Sequence, residues 1–460
     1  MQSLSGLDAS FLYLETPSQV LHVCGLLTLD GSAMPGGYRF ADFRDRLAER
    51  VRGIPEFRRK LHNSPLNLLH PVWVEDTGFD LDHHVHRIAV PAPGDRAELA
   101  ELCAHFAAQP LDRSRALWQL YVIEGLSDGA VAVLLKMHHA TVDGVGGANL
   151  IGYLAGLEPD APAPVTNSRE NPPPPSHLDM LKSSVTDVVR RPAELARLLP
   201  DLAGMVPRWL VSAVHRRGMP MPFTAPRTSF NATITGQRSV AFTSVDLDDV
   251  KKVKNAFGVT VNDVVLALCA GGLRKFLDAR DELPADPLVA TVPVSVHDRS
   301  DREQGSNRVS AFFAALPTQL GDPAARVYAV AESNRLSKEH HFTISADMLQ
   351  DWAEFAPPGL FGFAARAYAA LRLAEKHPVV HNLVVSNVPG PPTPLYFLGA
   401  RITGLYPLGP VFHGAGLNIT VISTAGRVDI GLLGARELVP DLWPLADALQ
   451  DEMKELLDAK

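Results

Sequence analysis

Between Glu158 and Ser176 the chain turns proline-rich, with Pro172-Pro173-Pro174-Pro175 inside the stretch. A helix or strand cannot run through such a segment, which reads instead as an extended linker. Strand-like and helix-like patterns alternate up to about residue 157, and compact alternation resumes from Pro226. In between, Leu178 to Arg217 carries a helical pattern broken by Pro192, Pro200 and Pro207. At 460 residues the chain exceeds one ordinary core, so two domains are expected. The expected division is 1–157 as an N-terminal domain, 158–225 as linker plus amphipathic helical segment, and 226–460 as a C-terminal domain. No internal repeat is obvious.

The chemistry concentrates just before the linker. The apolar run Ala130-Val131-Ala132-Val133-Leu134-Leu135 leads into Lys136-Met137-His138-His139, so a short buried strand should carry two imidazoles to its end. Asp143, Gly144, Gly146 and Gly147 follow, then Ala148 to Leu154, which reads as a tight turn opening into a helix. Side chains alternate along a strand, so only one of the two histidines can face a given cavity. A helical reading would put His139 and Asp143 on one face, but the glycines weigh against it. Neutral imidazole, with a reference pKa of about 6.5, is the side chain best suited to lift a proton from a hydroxyl near neutrality. The competing reading makes both histidines packing residues at a strand end.

Further along, Thr260-Val261-Asn262-Asp263 precedes the apolar helix Val264 to Ala270. Both polar residues suit a helix start, and capping alone would explain one of them. Asn262 is also a candidate to offer its amide to an oxyanion. Asn382 to Asn387 reads as a strand ending abruptly at Val388-Pro389-Gly390-Pro391-Pro392. A further inner strand is expected around Gly414 to Val421, and its glycine spacing is not that of a dinucleotide loop.

Several classes are disfavoured. A net charge of −8 weighs against nucleic acid as the main partner, because phosphate neutralisation needs a basic surface. Cys24, Cys103 and Cys269 are widely spaced and expected as buried thiols in a reducing cytosol. His83, His84 and His86 lack an acid or cysteine framework and are expected as a strand-edge cluster rather than a metal site. A serine hydrolase would need an activated nucleophile on a Gly-x-Ser-x-Gly elbow; no such elbow is expected here, and direct transfer is expected instead. The N-terminus lacks the basic and apolar blocks of a secretory signal, and no run of about 18 apolar residues occurs. Lipid contact is therefore expected to be peripheral. From Lys182 to Arg217 seven basic residues face three acids, a net of +4 interleaved with apolar residues, which suits either an anionic membrane surface or a solvated linker helix. Gly359 to Leu371 is a second lipid-facing candidate, with core packing as the expected role.

His138-His139-x-x-x-Asp143-Gly144 resembles the active-site signature of coenzyme A-dependent acyltransferases related to chloramphenicol acetyltransferase, a group that includes condensation domains of peptide synthetases. Leu4 to Glu15, Pro71 to Asp76, Phe79 to Asp82, Pro110 to Arg115, Val261 to Val264 and Ser386 to Pro391 narrow this to a resemblance to the bacterial wax ester synthase/diacylglycerol acyltransferase family, nearly end to end. Two departures stand out: Ala116-Leu117-Trp118 replaces Pro-Leu-Trp, and His297 stands where relatives often carry arginine, which puts a coenzyme A contact there in doubt.

The resemblance implies an α/β (α+β) fold of two chloramphenicol acetyltransferase-like domains, mixed sheets with helices joined by a crossover linker, with a tunnel between them. It implies an enzyme moving a long-chain acyl group from acyl-CoA, a co-substrate, to diacylglycerol or a long-chain alcohol, with no permanent cofactor and no metal. His139 would be the base, His138 would support its geometry, and Asn262 would assist. Asp143 would hold the loop through an arginine, and Gly144 would let the turn close. Asp263, Ser386 and Asn387 would line the tunnel. The expected location is cytoplasmic, peripheral to the inner membrane or lipid droplets. Transfer to a polyketide or sugar hydroxyl, and a non-catalytic lipid-surface scaffold, are the competing readings.

Overall fold

The apolar run becomes the strand Val131–His138, buried along its whole length. It lies antiparallel between Trp118–Glu124 and His22–Asp30. Alternation divides its side chains between two cores. Ala132 and Leu134 join Leu99, Cys103 and Phe106 of the helix Arg96–Ala108, while Val131, Val133, Leu135 and Met137 join Phe43, Leu47 and Phe57 on the other face. Each fully buried Leu or Phe side chain here contributes roughly 1.5–3 kcal/mol. Lys136 is the polar exception. It is fully buried, and its Nζ donates to Phe106 O and Gln109 O, both at 3.0 Å, which places a cation at the carbonyl end of that helix. Burial pushes its ammonium down to about 8.

The structure is a computed structural model that describes residues 2–34, 36–64, 70–141, 154–162, 222–295, 309–339, 343–344 and 358–460. Asp143, Gly144, His297 and the basic segment Lys182 to Arg217 lie outside the described residues. Two seven-stranded sheets dominate, with a small sheet of Gln2–Ser3, Val72–Glu75 and Arg59–His62 beside them. In spatial order the first sheet runs Val85–Ala89, Trp118–Glu124, Val131–His138, His22–Asp30, Ala400–Leu408, Tyr396–Phe397 and Ala155–Gly156. Two of its strands therefore come from the second half of the chain. The second sheet runs Thr343–Ile344, Val309–Leu316, Leu288–Ser295, Leu383–Pro389, Leu417–Thr424, Arg427–Ala435 and Arg238–Asp246. Leu383–Pro389 is parallel to both neighbours, and the remaining pairs in that sheet are antiparallel. The fold is thus mixed α/β, as the resemblance implies.

The helix Val261–Asp278 packs against Trp443–Asp458 within the core of the second sheet. Gly271 makes the approach possible: a Cβ there would lie 1.9 Å from the Glu452 carboxyl carbon. Glu452 is fully buried and held by Arg326 at 2.6 Å and Lys275 at 2.9 Å, so it has little freedom to yield. No single helix among the described residues is long and apolar enough to cross a membrane. The expected role of Gly359 to Leu371 in core packing needs correction: the helix Pro358–Ala370 forms, but Phe363 is 64% and Leu371 57% exposed. Its spacing put an apolar stripe on both sides of one helix, and among the described residues only one side has a partner. Cys24, Cys103 and Cys269 are free and buried, and burial pushes all three thiols up.

The two large sheets meet where Ala400–Leu408 crosses Leu417–Thr424 and Arg427–Ala435. Buried Asp429 accepts from Leu405 N–H at 2.9 Å, and from Ser244 Oγ and Arg427 Nη2 at 2.6 and 2.8 Å. Gly431 sits against Pro407, where an added Cβ would fall 1.9 Å from the carbonyl oxygen. The atom in the way is backbone, so neither strand can yield cheaply. Gly431→Ala is expected to destabilise the protein by about 1–3 kcal/mol, through overpacking at the joint, as read by chemical denaturation. An unchanged midpoint would show that the joint is loose.

Candidate active site

The helix Gly6–Leu14, capped by Ser5 accepting from Asp8 N–H, ends at Glu15. This short element supplies two parts of the site. Phe11 stacks on the His139 ring with centroids 3.9 Å apart and planes 24° off parallel. Glu15, one residue past the helix, faces His22 Nε2 at 3.3 Å and His138 Nε2 at 3.4 Å, and its other contact is Arg113 Nη2. His22 and His138 are register partners on adjacent strands, which explains why one carboxylate reaches both.

The paired histidines separate as strand geometry requires. His138 closes the strand, fully buried, and its Nδ1 accepts from Ala140 N–H at 3.1 Å. Its proton therefore sits on Nε2, toward Glu15. Burial pushes His138 below its usual value, with Glu15 opposing that shift. Burial alone would push the Glu15 carboxyl up, yet His138 and then His22 hold it well below the ordinary carboxylate range. Glu15 is a permanent anion, and His138 is consumed in facing it.

His139 starts the turn His139–Thr141 that leaves the strand. Its N–H donates to Leu21 O at 2.9 Å, and Thr141 Oγ1 closes the turn onto His138 O at 2.7 Å. The residue keeps part of its surface accessible, while its Nδ1 is buried beside the residue's own backbone, with no other hydrogen-bond partner among the described residues. Burial pushes the ring down to about 4, with His138 adding to the effect, so it is neutral near pH 7. A neutral imidazole on a partly accessible residue is equipped to exchange a proton with a hydroxyl.

Segments from the second half of the chain contact the residues that hold this ring in place. Gln19 Oε1 accepts from His413 N–H at 2.8 Å and Arg238 Nη2 donates to Ser18 O at 2.7 Å, tying down the loop that leads to Leu21. Tyr13 meets Phe361 edge-on, with centroids 6.3 Å apart.

Among the second-half candidates, Thr260 and Asp263 form a capping box at the start of Val261–Asp278. Both Asp263 oxygens are engaged: one accepts from Thr260 N–H and Oγ1 at 2.9 and 2.7 Å, the other from Asn334 Nδ2 at 2.6 Å. Capping thus accounts for Asp263 and leaves Asn262 unexplained by it. Asn387 Nδ2 donates to Asn262 Oδ1 at 3.3 Å, so two residues 125 positions apart meet, and among the described residues nothing accepts from the Asn262 amide N–H2. Ser386 lies next to Asn387 on Leu383–Pro389, in register with Thr420. Asp143 and Gly144 lie outside the described residues. Glu15, His22 and Arg113 escaped the sequence reading. Glu15 and Arg113 stood inside quoted segments, but nothing local marks a lone acid as the partner of two distant histidines.

The other histidines and the serine spacing resolve as structure. His84 stacks on Trp118, with centroids 4.7 Å apart, and its Nδ1 meets Trp118 O at 2.8 Å; His86 packs on Tyr121, and His83 lies 3.9 Å from Asp80. Gly125-Leu126-Ser127-Asp128-Gly129 does have the Gly-x-Ser-x-Gly spacing, but it is the exposed hairpin turn between Trp118–Glu124 and Val131–His138. A nucleophile elbow needs a strand running into a helix, so the spacing here is coincidental.

Residues 4–265 match the wax ester synthase/diacylglycerol acyltransferase catalytic domain, and residues 305–457 match the C-terminal domain of the same family. A Mycobacterium tuberculosis protein named as a diacylglycerol O-acyltransferase is 48% identical over 461 aligned residues, covering 100% of this chain and 90% of the relative. A second one from the same organism is 36% identical, covering 98% of each. Among solved structures, the wax ester synthase/diacylglycerol acyltransferase from Marinobacter aquaeolei VT8 superposes with a TM-score of 0.71 at 29% identity, covering 100% of both chains. The first condensation domain of the calcium-dependent antibiotic synthetase shares the fold, with a TM-score of 0.58 at 14% identity over 100% of this chain and 96% of that one. With a neutral, partly accessible His139 at the end of its buried strand, the chain belongs to the wax ester synthase/diacylglycerol acyltransferase family and is an acyltransferase.

Proposed function

We propose that this enzyme transfers a long-chain acyl group from acyl-CoA to the hydroxyl of diacylglycerol, with long-chain alcohols as a second class of acceptor. The names of the relatives support the substrate class, and the neutral, partly accessible ring of His139 carries the mechanism. In this reading His139 takes the hydroxyl proton as that oxygen attacks the thioester carbon. The Asn262 amide, its carbonyl side held by Asn387, donates to the oxyanion, a contribution of about 3 kcal/mol for one such donor. Collapse breaks the carbon–sulfur bond, and the imidazolium returns its proton to the departing coenzyme A thiolate. No acyl-enzyme forms. The same reading puts the enzyme in the cytoplasm, at the periphery of the inner membrane or of lipid droplets, where its acceptor resides.

Purified protein given radiolabelled palmitoyl-CoA with dioleoylglycerol or hexadecanol is expected to form labelled ester, and His139→Ala to lower turnover on the order of 10²-fold or more with an unchanged circular dichroism spectrum. Near-normal rates in the variant would overturn the assignment. Failure to form ester with any of a range of alcohols would favour the scaffold reading.

The active form is the neutral ring, and burial lowers the His139 pKa to about 4. Initial rates at saturating acyl-CoA should therefore stay flat from about pH 8 to about pH 6 and fall only as pH drops toward 4, opposite to a group that must be protonated. An inflection near the ordinary histidine value would contradict this.

Glu15→Gln removes the charge that His22 and His138 face. The variant should lose roughly 1.5–3 kcal/mol of stability at pH 7, as expected for hydrogen bonds to a charged group, measured by denaturant titration.

A further inference from the structure

The helix Pro358–Ala370 is turned the unusual way round for the surface of a globular protein. Its inward side packs on the helix Gly6–Leu14 through Phe361 against Tyr13, and a Cβ on Gly362 would lie 3.6 Å from the Tyr13 carbonyl oxygen. Its outward side should then be polar. Instead Phe363, Ala364, Ala370 and the following Leu371 are exposed, with Arg366 as the one charge among them. Phe223, 52% exposed, adds a further apolar ring nearby: it lies 6.2 Å from His377, which is bonded to Tyr368 Oη at 2.6 Å. Cations border this surface. Residues 358–376 hold Arg366, Arg372 and Lys376 against the single acid Glu375, a net of +2, and Glu375 is already paired with Arg372 at 2.8 Å.

We infer that this face is a docking surface for an anionic lipid bilayer, with Phe363 and Leu371 entering the acyl boundary and the arginines meeting the headgroups. An outward apolar arc with a basic border matches the chemistry of such an interface. Its place in the fold gives it a use that rests on the acyl-transfer reading above. The helix sits on Tyr13, two residues from Phe11, and Phe11 stacks on His139. Docking here brings the lipid phase beside the base.

The test sediments the full-length protein with phosphatidylcholine vesicles and with phosphatidylcholine/phosphatidylglycerol vesicles. Wild-type protein is expected to favour the anionic vesicles. The Phe363→Glu/Leu371→Glu double variant should lower the bound fraction about tenfold, and Arg366→Glu about fivefold, with added salt erasing the second effect. Turnover of vesicle-embedded dioleoylglycerol should fall in step with binding, while turnover of water-dispersible dioctanoylglycerol stays at the wild-type rate, which also shows the variants to be folded. Wild-type protein that ignores both vesicle types, or a double variant that binds like wild type, would overturn the inference. So would a wild-type dimer in light scattering that becomes monomeric in the double variant, because a second copy would then cover the face. Variant-sensitive vesicle binding without ester from either acceptor would support the surface and count against acyl transfer alone.

Discussion

The rest of the structure depends on the strand Ala400–Leu408 hydrogen bonding to His22–Asp30. Residues almost four hundred positions apart become neighbours in one sheet, and the same strand presses Pro407 onto Gly431 of the other sheet. Backbone hydrogen bonds and a backbone contact, rather than side-chain packing alone, set how the two halves meet. On its far side His22–Asp30 carries Val131–His138, so the position of the histidine pair follows from that junction.

Two adjacent histidines in one strand end receive opposite treatment from this arrangement. His138 points to a buried carboxylate shared with His22 and with half-exposed Arg113, and its second nitrogen is taken by the backbone. His139 has an aromatic face against it and part of its surface open. Burial keeps both rings neutral, but only His139 keeps part of its surface accessible.

Local pattern went a long way here. The uninterrupted apolar run ending in two histidines announced a buried strand, and the strand Val131–His138 stands where it was expected. Polar residues before Val264 announced a helix start, and a capping box with Thr260 and Asp263 forms there. Where pattern failed, it failed for want of partners. The helix Pro358–Ala370 was legible as a helix, yet its apolar residues could not say that one side would remain uncovered. The Gly-x-Ser-x-Gly spacing at Gly125 to Gly129 escaped the sequence reading, yet the expectation of no nucleophile elbow stands there, because the spacing belongs to a hairpin turn.

By itself the sequence determined what is local: strand and helix periodicity, the histidine pair and its opposite-facing geometry, the helix caps, and the motif spacing that carries family membership. These follow from repeats of two and 3.6 residues and from hydrogen bonds spanning a few positions. Only the tertiary structure decided which imidazole would meet Glu15, that Asn387 would reach Asn262, that a late strand would complete the early sheet, and which face of Pro358–Ala370 would stay bare. Each of those is a contact across more than a hundred residues or the lack of one, set by how whole sheets pack and by nothing in the neighbouring sequence.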